Sequence, residues 1–247
     1  MSWENLKMPC EKIIFDEQNG IATITFNRPE RENAVDGEMM QAMIEALESV
    51  NAAGSARILL VRGAGEHFCS GRDPGTATPK SGAEWNHVLE QIVRTNHALA
   101  AFPGISLAIV KGKAHGFGFG IAVQSDITLA ADDARFGFPE IRGGFPPTIV
   151  MSYLSRWVSR KKAFEWVITG DEMDAREAER QGVVNRVFAR ADLDARADEW
   201  MQKLLKLKDP ALKACKAFFR DTAHLHPDDA YRYGVSLLVN FNASHRS

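Results

Sequence analysis

Four closely spaced glycines constrain the fold of this chain more than any other sequence feature. They lie at positions 112, 116, 118 and 120, after the apolar segment 105–110, which is typical of a buried strand, and they lead into the apolar segment 119–123, which predicts a helix. A strand that passes through glycines into a helix presents unpaired backbone N–H groups at the positive end of the helix dipole. The stretch therefore predicts a site for negative charge, either a bound phosphate or an oxygen that becomes anionic during a reaction.

The glycine spacing narrows the choice of ligand, although such a stretch is often only a tight turn. Gly116, Gly118 and Gly120 alternate with single residues, which is not the G-x-G-x-x-G pattern of dinucleotide sites. No Gly-Lys-Ser/Thr triplet follows, as a phosphate-binding P-loop requires. The pattern alone leaves the turn and the anion site open.

The composition is that of an ordinary soluble protein and excludes several classes. With 247 residues, 45% of them hydrophobic and 25% charged, the chain can bury the core of one α/β domain or two small ones. A net charge of −2 argues against a general nucleic-acid binder. No apolar run approaches the ~20 residues of a membrane span, and the first residues lack the shape of a signal peptide. The scattered cysteines at 10, 69 and 215 predict free thiols in a reducing cytoplasm, and no cluster has metal-ligand spacing.

The N-terminal part of the chain predicts strands that alternate with helices. Residues 12–26 predict a hairpin whose turn contains Asn19-Gly20. Asp36 has the position of a helix N-cap before a methionine-rich apolar face. A buried strand at 58–61 and a helix at 83–101 follow, joined by a long loop of the kind that is often functional.

The later part of the chain becomes mostly helical. Short strands are predicted at 127–130 and 135–138, and another at 183–187 after a helix at 174–181. Two or three further helices are predicted over 191–243. The pattern predicts one α/β core with a helical C-terminal extension.

Five short sequence blocks stand in order along the chain. They are Asn27-Arg28-Pro29 with Asn33-Ala34, Phe68-Cys69-Ser70-Gly71-x-Asp73, Gly112-x-Ala114-x-Gly116-x-Gly118 with Ser125-Asp126-Ile127-x-Leu129-Ala130, Phe136-Gly137-x-Pro139-Glu140-Ile141, and Thr169-Gly170 with Ala175, Ala178 and Gly182-Val183-Val184. No single block is specific. Together they resemble the crotonase (enoyl-CoA hydratase/isomerase) superfamily over roughly residues 10–235.

The resemblance implies an α/β fold with a crotonase-like β-β-α spiral core. We expect this core in residues 1–190 and a helical C-terminal trimerisation region in residues 191–247. The implied assembly is a homotrimer or a dimer of trimers. The implied substrate is an acyl-coenzyme A thioester of the kind handled in fatty acid metabolism, and coenzyme A enters as part of that substrate, so no separate cofactor is expected. Nucleic acid and membrane are not expected as partners.

Two loops of the family supply backbone N–H groups that bind the thioester oxygen. Carried over to this chain, these donors are the N–H groups of Arg72 and Phe117. Removing a proton beside a thioester carbonyl, or adding water across a conjugated double bond, places charge on that oxygen, and losing one fixed donor typically costs ~3–4 kcal/mol of barrier. Further substrate contacts are implied at Arg28, Arg31, Ala34, Ser70, Gly71, Asp73 and Gly116.

Glu140 is the expected proton-transfer group. It stands among apolar residues, where a carboxyl pKa rises toward neutrality, although a surface glutamate beside a turn proline is the alternative. In the resemblance it matches the second of the two acid–base glutamates of hydratases. The first would fall at position 120, where this chain has Gly120.

A second departure from the family pattern concerns coenzyme A. Glu32 occupies a position where the family often has Arg or Lys near the phosphates. Arg28, Arg31 and Lys113 are the possible substitutes, and each can equally be a plain solvated charge.

A single carboxylate leaves several reactions open. It can move a proton between C2 and C4, as the Δ3,Δ2-enoyl-CoA isomerases of the family do, or it can serve a hydratase or lyase when another group holds the water. The hydroxycinnamoyl-CoA hydratase-lyase of the family adds a C-terminal tyrosine, for which Tyr233 is the candidate. Thr148 stands where dehalogenating members carry a nucleophilic aspartate, which argues against dehalogenation. A non-catalytic acyl-CoA binder, and RNA binding through the basic cluster at 156–162, are the remaining alternatives.

Overall fold

The computed structural model describes residues 10–73, 75 and 79–245, which form an α/β structure. The strands within these ranges are β1 Ile13–Gln18, β2 Ile21–Phe26, β3 Ile58–Gly63, β4 Ile105–Val110, β5 Lys113–His115, β6 Ile127–Ala131, β7 Arg135–Gly137, β8 Met173–Asp174 and β9 Arg186–Phe188. The helices are α1 Gly37–Ala53, α2 Gly82–Ala101, α3 Phe117–Gln124, α4 Thr148–Leu154, α5 Arg160–Thr169, α6 Ala175–Arg180, α7 Leu193–Leu205, α8 Asp209–Thr222 and α9 Pro227–His245.

The strands form two sheets. The larger has the order β1-β2-β3-β4-β6-β9, in which β1 and β2 are antiparallel and all other neighbours are parallel. The smaller has the order β5-β7-β8, with β5 and β7 parallel and β7 and β8 antiparallel. Parallel neighbours need crossover connections, and the helices that make these connections cover the larger sheet.

The chain alternates between the two layers in a repeating β-β-α spiral. After β4 it enters the smaller sheet as β5 and continues into α3, and after β6 it enters the smaller sheet again as β7. Two isolated bridges extend the pattern toward the N-terminus. Cys69, which follows β3, pairs with Ala114 of β5, and Val35, which follows β2, pairs with Arg72. The α/β class and the spiral core are therefore confirmed.

Local sequence signals determine the first elements as expected. Asn19 and Gly20 have φ values of 52° and 78° and reverse the chain between β1 and β2. The Asp36 carboxylate accepts a 2.9 Å hydrogen bond from the Met39 N–H at the start of α1, as an N-cap residue does. The methionine-rich face of α1 is buried in the main core.

Three features differ from the sequence-based expectation. The glycine stretch contains an additional strand, β5, between Gly112 and Gly116, so α3 follows β5 rather than β4. The strand predicted at 183–187 is observed as Arg186–Phe188, and no sequence pattern predicts β8. Strands of two or three residues are too short to show an alternating pattern, so their pairing partners decide their position.

The C-terminal helices are joined to the core. α7 buries its apolar face on the outer side of the larger sheet. α8 is anchored by Lys216, whose Nζ donates to the Asp126 carboxylate at 2.7 Å and to the Gly104 carbonyl at 2.9 Å. The same carboxylate accepts the N–H and the hydroxyl of Ser106, both at 2.8 Å. α7 and α8 thus both pack on the core. The expected division of the chain into a core and a trimerisation region at residue 190 stays a prediction.

Lys216→Met removes the charged end of this anchor. Burial lowers the pKa of Lys216, while the Asp126 carboxylate opposes that effect. Losing a hydrogen-bonded charge typically costs about 2 kcal/mol, so we expect the free energy of unfolding in urea to fall by about that amount. The control Lys206→Met, at an exposed position beside the end of α7, should change it by less than ~0.5 kcal/mol. Equal losses in the two variants would contradict the anchoring role.

Candidate active site

The two loops implied as oxyanion donors lie side by side because a short β-bridge ties them together. The Cys69 N–H donates to the Lys113 carbonyl, and the His115 N–H donates to the Cys69 carbonyl, both at 2.9 Å. Gly118 allows this close approach, since a Cβ at that position would lie 2.7 Å from the Cys69 Cβ and closer still to its carbonyl oxygen. The ends of the two loops therefore meet at one edge of the smaller sheet.

Two backbone N–H groups at this edge donate to no described residue. The first belongs to Arg72. Its neighbours pair with Val35, whose N–H donates to the Gly71 carbonyl at 2.8 Å and whose carbonyl accepts from the Asp73 N–H at 2.9 Å, so the Arg72 N–H is directed to the opposite side. The second belongs to Phe117, the first residue of α3, where an N–H has no intrahelical acceptor. Such a pair of donors suits an oxygen that gains charge during a reaction.

The Phe117 side chain packs in the main hydrophobic core. The Phe117 ring therefore packs in the core, while the Phe117 N–H lies at the same sheet edge as the Arg72 N–H. Because the expected function of Phe117 is a backbone function, the side chain is free to take this packing role.

Glu140 lies against the second loop. It belongs to the short 3₁₀ helix Pro139–Gly143, and a Cβ on Gly116 would lie 3.1 and 3.2 Å from its two carboxylate oxygens. The carboxylate thus packs on the residue directly before the Phe117 N–H. Burial raises the pKa of Glu140, and a hydrogen bond from its own backbone N–H opposes this only in part. A half-buried carboxylate beside free N–H groups is suited to accept and return a proton next to a carbonyl group.

A tyrosine that the sequence did not indicate occupies the space beside Gly120. A Cβ on Gly120 would lie 2.6 Å from the Tyr153 hydroxyl oxygen. Tyr153 is buried, and burial raises the pKa of its hydroxyl although the side-chain amides of Gln124 and Asn96 oppose this. The contact joins α4 to α3, and the one available sequence signal is a glycine inside a helical segment, which indicates a close approach.

The three cations expected near coenzyme A differ in exposure. Arg28 donates to the Asp73 carboxylate at 2.6 Å, and only 17% of its side chain is exposed. Lys113 donates to both carboxylate oxygens of Glu32 at 2.7 and 2.8 Å, and this contact lowers the pKa of Glu32. Arg31 has 54% of its side chain exposed and lies 3.6 Å from Asp73. Arg31 is therefore the most accessible of the three.

The other residues expected to contact substrate shape the first loop. Burial alone would raise the pKa of Asp73, but a hydrogen bond from a backbone N–H and the Arg28 guanidinium lower it overall. The Ala34 carbonyl accepts a 3.1 Å hydrogen bond from Arg28, and the Ser70 N–H donates to the Glu32 carbonyl at 3.0 Å. Gly71 has a φ of 107°, which favours glycine. These contacts hold the backbone that carries the Arg72 N–H.

Tyr233 lies in the C-terminal helical hairpin. Its hydroxyl donates a 2.8 Å hydrogen bond to the Asp221 carboxylate, and this contact raises the pKa of Tyr233. Its ring centroid lies 6.0 Å from that of Phe218. These contacts are with α8, so within one chain the structure brings Arg72, Phe117 and Glu140 together but places Tyr233 on a different element.

Other chemically active side chains near the loops have structural surroundings. His115 is buried, with Nε2 3.0 Å from a Glu172 carboxylate oxygen at an angle too oblique for a good hydrogen bond, and burial lowers the pKa of His115. Burial raises the pKa of the free Cys69 thiol to about 12, so it is a poor nucleophile. Across the part of the chain that the structure describes, no cluster of His, Cys, Asp or Glu suits a metal ion, and no helix has the length and apolar character of a membrane span.

Fold and site together describe a spiral α/β protein with paired backbone donors and a half-buried carboxylate at one edge. A sequence model of the enoyl-CoA hydratase/isomerase family matches residues 16–246. A putative enoyl-CoA hydratase of Thermus thermophilus is 29% identical over 220 residues, covering 87% of each chain. The hydroxycinnamoyl-CoA hydratase-lyase of Pseudomonas fluorescens is 29% identical over 224 residues, covering 88% of this chain and 79% of that protein.

The structural comparison agrees with the sequence comparison. The crystal structure of an enoyl-CoA hydratase from Mycobacterium smegmatis aligns with a TM-score of 0.89 at 28% identity, covering 94% of this chain and 91% of that one. This chain belongs to the enoyl-CoA hydratase/isomerase family, as the five sequence blocks predicted.

Proposed function

We propose that this protein moves a proton on an acyl-coenzyme A thioester, as an enoyl-CoA isomerase or hydratase. The observation that carries the proposal is the position of the Glu140 carboxylate, 3.1 Å from where a Cβ on Gly116 would lie and so beside the Phe117 N–H. In the proposed complex the N–H groups of Phe117 and Arg72 receive the thioester oxygen. Glu140 then acts on the carbon next to that carbonyl. Family membership supports an acyl-CoA substrate.

Isomerisation of a 3-enoyl thioester needs only these groups. Glu140 removes a proton from C2, the electron pair moves onto the thioester oxygen, and the two N–H groups stabilise the enolate. Glu140 returns the proton at C4, which moves the double bond into conjugation with the carbonyl. Burial, which raises the pKa of Glu140, helps the carboxyl to keep the transferred proton between the two steps.

Coenzyme A enters this proposal as part of the substrate, and no separate cofactor is needed. We assign its phosphate end to Arg31, because 54% of its side chain is exposed and its 3.6 Å contact with the Asp73 carboxylate is longer than the carboxylate contacts of Arg28 and Lys113. The Glu32 carboxylate beside Lys113 weakens the local positive field that an anionic cofactor tail would meet.

A hydroxycinnamoyl-type hydratase-lyase is the second candidate. The relative from Pseudomonas fluorescens favours it. So does an aromatic contact near the glutamate segment, where the ring centroids of Trp85 and Phe145 lie 6.0 Å apart and could flank a planar acyl group.

Tyr233→Phe separates the two candidates. We expect it to leave kcat for enoyl-CoA and feruloyl-CoA unchanged, because the Tyr233 hydroxyl is bound to Asp221 on α8. The measurement is steady-state turnover of both thioesters, with binding followed separately. A large loss of feruloyl-CoA turnover with binding retained would support the hydratase-lyase and contradict the first candidate.

Three other functions have less support. A purely binding role gives no purpose to the Glu140 carboxylate, whose pKa is raised by partial burial. Dehalogenation lacks its nucleophile, because Thr148 begins α4 at the expected position. RNA binding would rest on a basic cluster whose Lys162 lies 3.1 Å from Glu165 and 4.0 Å from Glu177 and is thus largely neutralised.

A panel of thioesters tests the proposed function. The purified protein is mixed with 2-enoyl-CoA, 3-enoyl-CoA and feruloyl-CoA, and the absorbance of the conjugated thioester is followed. Gain of conjugation from 3-enoyl-CoA or loss from 2-enoyl-CoA is the expected result. Binding of all three without turnover would contradict the proposal and favour a non-catalytic binder.

We also propose that the C-terminal helices contact a second copy of the chain, in a trimer or a dimer of trimers. α8 and α9 expose a set of large apolar side chains at helical spacing, Phe219, Tyr231, Val235, Leu238 and Val239. Exposed apolar side chains of this kind are typical of a subunit contact.

A further inference from the structure

We propose that the Tyr153 hydroxyl holds the attacking water beside Glu140, so that this protein is a hydratase although Gly120 stands in place of a glutamate. The inference rests on the proposed function, because it assigns a second polar group to the same site. It selects hydration from the two reactions that Glu140 alone leaves open.

The Tyr153 hydroxyl and the Glu140 carboxylate pack on neighbouring turns of one helix. The carboxylate lies against Gly116 and the hydroxyl against Gly120. The Gly120 N–H donates to the Gly116 carbonyl at 2.9 Å, so the two glycines are one turn apart, and residues so related lie about 5–6 Å from each other. The carboxylate and the hydroxyl therefore border the same turn of α3.

An unsatisfied polar atom lies close to the hydroxyl. Gln124 Nε2 is buried and makes no hydrogen bond of normal geometry to any described residue. The Gln124 amide and the buried Asn96 side chain both act on the Tyr153 hydroxyl. Buried polar atoms without a protein partner are commonly satisfied by a bound water molecule. The surroundings of the Tyr153 hydroxyl are therefore suited to a small polar molecule, although most of the α3 residues are apolar.

Gly120 is what makes this arrangement possible. Any side chain at position 120 would collide with the Tyr153 hydroxyl, 2.6 Å from the Cβ position. A hydroxyl carried by α4 thus takes the place of the glutamate side chain that α3 would carry at position 120. A phenol there acts differently from a carboxylate, since burial raises the pKa of Tyr153 and keeps the hydroxyl protonated.

The proposed hydration balances with these groups alone. Tyr153 orients the water, and Glu140 takes one of its protons as the water oxygen bonds to C3 of a 2-enoyl thioester. The electron pair of the C2–C3 double bond moves onto the thioester oxygen, which the N–H groups of Arg72 and Phe117 stabilise. The enolate then re-forms the carbonyl as Glu140 delivers the proton to C2, and Tyr153 keeps its own proton throughout.

Tyr153→Phe tests the inference, because it removes the hydroxyl and keeps the ring. Two rates are compared in wild type and variant: hydration of 2-enoyl-CoA, and exchange of C2 hydrogens of a saturated acyl-CoA with D2O, which needs Glu140 and the N–H groups but no attacking water. We expect kcat for hydration to fall about 100-fold with KM unchanged, and exchange to stay within a few-fold. Ser152→Ala, which removes an exposed hydroxyl from the same helix, should alter neither rate.

A second variant tests the same inference if Tyr153→Phe does not fold. Gly120→Ala places a methyl group against the hydroxyl and should likewise lower hydration more than exchange. Hydration at the wild-type rate in folded Tyr153→Phe, or a parallel fall of hydration and exchange, overturns the role of Tyr153 and leaves the proposed function intact. If the wild type isomerises 3-enoyl-CoA but does not hydrate 2-enoyl-CoA, the role of Tyr153 is likewise overturned and the proposed function is kept. Absence of turnover and exchange in the wild type overturns the proposed function itself.

Discussion

Glu140→Gln should lower kcat about 1,000-fold while the acyl-CoA dissociation constant stays within a few-fold. The carboxylate packs against Gly116 beside the proposed oxygen site, so the amide keeps the shape of the site and loses only the ability to accept a proton. The measurement is steady-state turnover of the active thioester, with calorimetry for binding.

The pH profile of the wild type reports on the same group. Glu140 acts as a base in its charged form, and burial raises its pKa. The rate should therefore rise with pH and reach its plateau above the range of an ordinary glutamate, whose pKa is about 4.3. Glu165→Gln, an exposed change on α5, is the control and should keep both the rate and the profile. Full activity in Glu140→Gln would exclude this carboxylate from the chemistry.

Gly118→Ala should both lower activity strongly and destabilise the fold. A Cβ at this position would lie 2.7 Å from the Cys69 Cβ, so the bridge between the two loops must open. Overpacking of this kind costs about 1–3 kcal/mol of stability. It also separates the N–H groups of Arg72 and Phe117, and losing one such donor lowers kcat about 100- to 1,000-fold. Urea unfolding and turnover measure the two effects.

Gly82→Ala is the matched control for this glycine. Position 82 begins α2, and a Cβ there meets no atom within 4 Å. We expect unchanged turnover and unchanged or slightly higher stability, since alanine is a better helix former than glycine. Wild-type turnover in Gly118→Ala would show that the close contact with Cys69 does not position the donors.

Elements with strong local signals were predictable from the sequence. The Asn19-Gly20 turn and the Asp36 cap are set by residues within a few positions, and both are found where the pattern placed them. The proposed Arg72 and Phe117 donors came from the resemblance to a family, and the structure adds the reason that their two loops lie side by side, which is the pairing of Cys69 with Ala114.

The parts that the sequence did not indicate depend on distant partners. β5 and β8 are too short to carry a pattern, and each exists because β7 pairs with it. The Tyr153 contact with Gly120 joins two helices across the core, so the glycine inside a helical segment indicates a close approach but not which residue makes it. The ion pairs that occupy Arg28 and Lys113 are likewise tertiary, and they leave Arg31 as the accessible cation.

The central claim is that the N–H groups of Arg72 and Phe117 bind a thioester oxygen. Isotope-edited infrared spectroscopy of an acyl-CoA labelled at the thioester carbonyl tests it most directly. Glu140→Gln prevents turnover during the measurement. We predict that the carbonyl stretch shifts to lower frequency on binding to this variant and that Gly118→Ala removes the shift. A bound carbonyl that absorbs at the frequency of the free thioester would contradict the account.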